Sequence, residues 1–183
     1  PSTSATAVVF LRSGITGRRD FIGSIEKRCY LGLLAPCKGK REKTGVLPIG
    51  VAIDPTTGEV TPSTGRYEKR LGELGPIYRD KAAFTAADGD TLAYEVIEYR
   101  AEGSDIIFGT TIMQPGKVGD EYFMTRGHFH VRRDRGEVYY TQSGEGLLLL
   151  ESRDGDVRTV EMKPGICAFI PPDWAHRSIN TGS

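Results

Sequence analysis

From Thr91 to Asn180 the chain is a succession of short runs rich in β-branched and aromatic residues, none long or periodic enough for a substantial helix. The runs are Thr91 to Tyr99, Ile106 to Met113, Glu121 to Thr125, Glu137 to Thr141, Gly146 to Glu151, Val157 to Met162, Ile166 to Ile170 and His176 to Asn180. Between them stand "AEGSD", "QPGKVGD", "QSGEG", "RDGD" and "KPG", whose glycines allow positive φ and whose proline, aspartate and serine favour turns. Strands at roughly 8 to 12-residue spacing without crossover helices pair with sequence neighbours in antiparallel fashion. The expected fold class is therefore all-β, an antiparallel sandwich or barrel.

Upstream, "VLPIGVAIDPTTGEV" reads as two extended segments around a Pro-Thr-Thr-Gly turn. In "GRYEKRLGELG", Tyr67, Leu71 and Leu74 recur at i, i+4 and i+7, which predicts a short amphipathic helix. Residues 1–45 have another texture: weak periodicity, scattered glycines and the basic run "CKGKREK". They read as an N-terminal extension outside the core, faintly like a transit peptide in their arginines and the apolar patch Tyr30 to Ala35. Residues 46–183 are then the folded domain.

The 183 residues suit a single domain with a real core. Lysine plus arginine number 24, as do aspartate plus glutamate, so bulk charge makes no case for nucleic acid or an anionic membrane. The basic clusters Lys38 to Lys43 and Arg126 to Arg135 read as solvated loop surface. No apolar run reaches the roughly 18 residues that span a bilayer. Cys29, Cys37 and Cys167 are odd in number and lack C-x-x-C spacing, which fits a reducing cytoplasm, with Cys167 expected as a small buried hydrophobe.

Of the three histidines in the chain, two stand in "RGHFHVRRDRGEVYYTQSGEG". Side chains alternate along an extended strand, so His128 and His130 face one side and Phe129 is expected buried on the other. A hairpin through "VRRDRG" brings Glu137 back beside the two imidazoles, and His176, in "PPDWAHRSIN", can enter the same site on another strand. Three imidazole nitrogens and a carboxylate suit a divalent Fe, Mn, Ni, Co or Zn ion. An isolated H-x-H is a weak signal; here ligand types, turn residues and strand pattern agree.

Those segments carry a family resemblance. "GHFHVRRDRGEVYYTQSGEG" resembles the first cupin motif, and "GICAFIPPDWAHRSIN" resembles the second, with Gly165, Pro171, His176 and Asn180 at matching steps. Asp173 stands where many cupins have glycine, and the interval from His130 to Glu137 is longer than in the general cupin pattern. That interval, flanked by "PGKVGDEYFMTRGHFH" and "PPDWAHRSIN" and preceded by "TGRYEKRL" and "YEV", resembles the cupin-type phosphoglucose isomerases from about Val46 to Ser183. The family continues past the position of Ser183 with further phosphate-contacting tyrosines, so the resemblance implies a domain truncated at its C-terminal end.

The resemblance implies a cupin-type antiparallel β-barrel, jelly-roll-like, in a cytoplasmic homodimer. It implies interconversion of glucose 6-phosphate and fructose 6-phosphate, for glycolysis and gluconeogenesis, with one divalent metal per subunit, iron first among the candidates. Carried over by motif, His128, His130, Glu137 and His176 are the metal ligands, with Glu137 and His176 catalytic and Glu137 the base. Thr111, Thr125 and Gly127 line the phosphate site, with Arg126 as a nearby cation, while Tyr94 and Tyr139 face the sugar. A three-histidine, one-glutamate site also suits an iron or manganese cupin dioxygenase, and a non-catalytic sugar-binding cupin is the other alternative.

Overall fold

The computed structural model describes residues 6–12 and 48–182. In chain order the elements are β1 (Thr6–Arg12), β2 (Ala52–Ile53), β3 (Val60–Thr61), β4 (Gly65–Arg70), two 3-10 turns (Leu71–Glu73 and Gly75–Ile77), α1 (Lys81–Ala86), β5 (Leu92–Arg100), β6 (Ile107–Met113), β7 (Lys117–Val118), β8 (Glu121–Tyr122), β9 (Glu137–Ser143), β10 (Gly146–Ser152), β11 (Val157–Met162), β12 (Cys167–Ile170) and β13 (Trp174–Asn180). The strands pair antiparallel in a six-stranded sheet, ordered β12-β9-β1-β6-β5-β4, a three-stranded sheet, β11-β10-β13, and two small hairpins. The all-β class is as expected. The two larger sheets share no strand, so the described residues do not form one closed hydrogen-bonded barrel.

Alternation along the strands builds the interior. On β10, Gly146, Leu148 and Leu150 are buried and the leucines between them only partly so. Leu148, Leu150, Met162 and Ile170 pack with Val8 as one apolar cluster, and Phe10, Leu71, Leu74 and Met113 belong to another. Tyr139 packs against both. The β2–β3 turn forms as its residues demand: the Asp54 carboxylate accepts from the Thr56 and Thr57 amides, and Gly58 takes φ of 77°.

Three expectations are corrected. Thr6–Arg12, assigned by sequence to an extension outside the core, forms a strand in the middle of the large sheet, between β9 and β6. Its continuous apolar run, Ala7 to Leu11, suits a strand inside a sheet, and Val8 is fully buried and Phe10 nearly so; the basic run, Cys29 and Cys37 lie outside the described residues. The helix expected across "GRYEKRLGELG" is instead strand β4 running into a 3-10 turn. Pairing with β5, Tyr67 opposite Val96, outweighs the helical spacing, and Leu71 and Leu74 are buried from the turn. The one α-helix among the described residues comes later, where the Asp80 carboxylate caps the Ala83 amide at 2.9 Å. Cys167, expected buried, is exposed on the edge strand β12, because Ala168 and Ile170 take the inward positions.

Candidate metal centre and adjoining cavity

Two backbone bridges bring the histidines together. The segment after β8 pairs with β13 at Met124–Ile179 and again at His128–His176, where the His176 amide donates to the His128 carbonyl at 3.3 Å. β9 starts at Glu137, paired with Arg12 at the end of the neighbouring strand β1, which sets where the carboxylate enters the site. The ligand atoms of His128, His130 and His176 all fall within 4.8 Å of one another. Glu137 Oε2 lies 2.9 Å from His130 Nε2 and 3.0 Å from His176 Nε2. The Glu137 and His176 side chains are each only 1% exposed. Phe129, expected buried behind the pair, is 36% exposed, with the Arg153 guanidinium 4.3 Å from its ring centre.

The hydrogen bonds behind the rings decide what can occupy the centre. His130 Nδ1 is 3.0 Å from the Arg135 carbonyl, and His176 Nδ1 is 3.4 Å from the Trp174 carbonyl. A carbonyl only accepts, so each Nδ1 is the donor of its pair, and in a neutral ring the lone pair of Nε2 then faces inward. Both Nε2 atoms meet the Glu137 carboxylate, itself an acceptor, His130 within hydrogen-bond distance and His176 Nε2 without a hydrogen bond in this position. Converging acceptors in a buried site need a positive charge between them. A divalent cation meets that need, and the three imidazoles with the carboxylate are a suitable donor set for one.

The centre closes one end of a cavity lined by Tyr94, Thr111, Thr125, His128, Glu137, Tyr139 and His176. Thus most residues singled out by sequence come to one place. His130 stays behind the cavity wall, and Gly127 does not line it: a side chain there would meet the Arg177 guanidinium at 3.0 Å. The Thr125 hydroxyl accepts from the Ser178 amide at 3.0 Å and keeps its own hydrogen to donate. Tyr139 stands edge-on to His176, ring centres 5.4 Å apart. Burial raises the Tyr94 phenol pKa, so the hydroxyl stays protonated and can donate to a ligand. Arg126 lines the same wall, held by its own bond to the Glu73 carbonyl at 2.9 Å.

Sequence reasoning missed other lining residues. Val96, Glu98 and Arg100 face the cavity because they alternate with Tyr94 along β5, a signal that strand periodicity carried. Phe10 had no such signal, since its place depends on β1 entering the sheet.

The glucose-6-phosphate isomerase (GPI) family model matches residues 68–183. A glucose-6-phosphate isomerase of Sinorhizobium medicae (strain WSM419) is 49% identical over 140 residues, 74% of this chain and 65% of that one. The similarly named protein of Thermococcus litoralis is 42% identical over 139 residues, covering 74% of this chain and 73% of its own. That of Pyrococcus abyssi (strain GE5 / Orsay) is 40% identical over the same length, with equal coverage. The chain therefore spans about two thirds to three quarters of the length of these relatives.

Proposed function

Since the chain belongs to the glucose-6-phosphate isomerase family, we propose that it interconverts glucose 6-phosphate and fructose 6-phosphate in the cavity that ends on the histidine cluster. The observation that carries this reading is the convergence of the His130 and His176 Nε2 atoms on Glu137 Oε2. In it, His128, His130, Glu137 and His176 hold a divalent ion. That ion, when bound, supplies Lewis acidity that stabilises negative charge developing on the sugar oxygens. Iron as the native ion, a homodimeric state and a cytoplasmic location belong to the proposal through the family likeness alone. No helix among the described residues is long and apolar enough to cross a membrane.

The chain's own residues have the remaining tasks. Thr111, Thr125 and Arg126 offer hydroxyl and guanidinium donors to the phosphate. Tyr94 and Tyr139 flank the sugar and narrow the space left for water. Glu137 is the base: with Oε2 turned to the imidazoles, Oε1 carries the proton. It removes the C2 proton of the open-chain aldose while the carbonyl oxygen at C1 takes one up from water, giving a cis-enediol. Return of the proton to C1, with loss of the O2 proton, yields the ketose. His176 orients the carboxylate.

Glucose 6-phosphate deuterated at C2 tests the relay. Proton transfer through Glu137 exposes the label to exchange, so fructose 6-phosphate formed in ordinary water loses a substantial share of it. Full retention at C1 would replace the relay by a direct hydride shift. Oxygen consumption with no sugar-phosphate turnover would overturn the isomerase reading in favour of a dioxygenase.

A further inference from the structure

Asp173 has positive φ, 64°, unlike every other described non-glycine residue, a backbone conformation that L-residues adopt at a cost. It stands at the turn just ahead of β13 and so just ahead of His176. Its carboxylate is gripped from two sides. Arg133 donates from Nε to Oδ1 at 2.9 Å and from a terminal nitrogen to Oδ2 at 2.8 Å, a two-pronged contact. Arg153, from the turn after β10, donates from Nε to Oδ1 at 2.9 Å. The pairing holds the Asp173 carboxyl pKa well below the usual range.

The positions of these arginines give the bridge its consequence. Arg133 lies in the loop joining His130 to Glu137, two residues ahead of Arg135, whose carbonyl orients His130. Arg153 also covers Phe129, the residue between His128 and His130. One carboxylate therefore ties together the turn leading to His176 and the segments bearing the other three members of the site. Exposed ion pairs add little to global stability, so a bridge of this kind acts locally, on where these loops stand.

We propose that Asp173 is a positioning residue for the metal centre: by bridging Arg133 and Arg153 it sets the separation between His176 and the His128–His130–Glu137 group. The proposal rests on the metal reading above, and its test separates the two. Co2+ is titrated into chelator-treated wild type, Asp173→Asn and Asp173→Gly, with the visible d–d absorption and the bound fraction both recorded. Asparagine keeps the shape and tolerates the left-handed backbone, whereas glycine removes the backbone cost as well as the carboxylate. Both variants are expected to bind Co2+ about tenfold or more weakly, with an altered spectrum, while Asp173→Gly free of metal melts no lower than wild type.

Binding by both variants within about twofold of wild type, with an unchanged spectrum, would overturn the proposal and leave the metal reading intact. Affinity lost in Asp173→Asn but restored in Asp173→Gly would also overturn it, because the backbone and not the ion bridge would then govern the site. Wild type taking up no Co2+ would overturn the metal reading itself, and this proposal with it.

Discussion

At the residue scale Glu137 decides what the centre can hold. Its carboxylate is buried and touches two imidazole nitrogens whose ring hydrogens are committed to carbonyls on the far side. With neutral rings and no cation between them, these are acceptors facing each other. Glu137→Gln keeps the shape but turns an amide donor toward those lone pairs. The metal-free variant should therefore melt at or above the metal-free wild type. The same change removes the proton acceptor, so kcat should fall by about 10²–10⁴-fold at equal metal occupancy. Thermal melts of the chelated proteins and steady-state rates of the loaded ones check the two halves. A loss below about tenfold would place the base elsewhere. These residues stood out in the sequence because H-x-H, a following glutamate and a third histidine are chemically distinctive. The bonds to the Arg135 and Trp174 carbonyls are not readable there, since no residue type marks a backbone acceptor.

At the element scale β1 is the instructive case. "TAVVFLR" is short and its partners lie far along the chain, in β6 and β9, so no local pattern announces its place. Strands β5, β6 and β9 to β13 were legible because turn glycines and alternating residues bound them on both sides. β4 was not, because the spacing of Tyr67, Leu71 and Leu74 imitates a helix until pairing with β5 is known. The register sets Phe10 opposite Tyr139 on one side and Gly109 on the other. The Phe10 and Tyr139 rings lie 6.4 Å apart, and Phe10 lines the cavity. Phe10→Ala should cost about 3–5 kcal/mol of stability and raise KM by loosening Tyr139. Denaturant unfolding and substrate titration read the two effects. A change below about 0.5 kcal/mol would mean that β1 is not part of the folded sheet in solution.

At the scale of the whole molecule, the two sheets and the loops between them bring an acceptor-rich centre to the end of a cavity with hydroxyl and guanidinium donors on its walls. The family match covers every residue of the centre and all of the cavity lining except Phe10 and Tyr67. The central claim is that this centre works as a divalent metal site for sugar-phosphate isomerisation. The most direct measurement follows glucose 6-phosphate to fructose 6-phosphate before chelation, after exhaustive chelation with the metal content checked, and after reloading with Fe2+, Mn2+, Ni2+ or Zn2+, with His176→Ala alongside. The account predicts that turnover disappears with the metal, returns with at least one of these ions, and does not return in His176→Ala. Undiminished turnover by protein shown to be free of metal would contradict it.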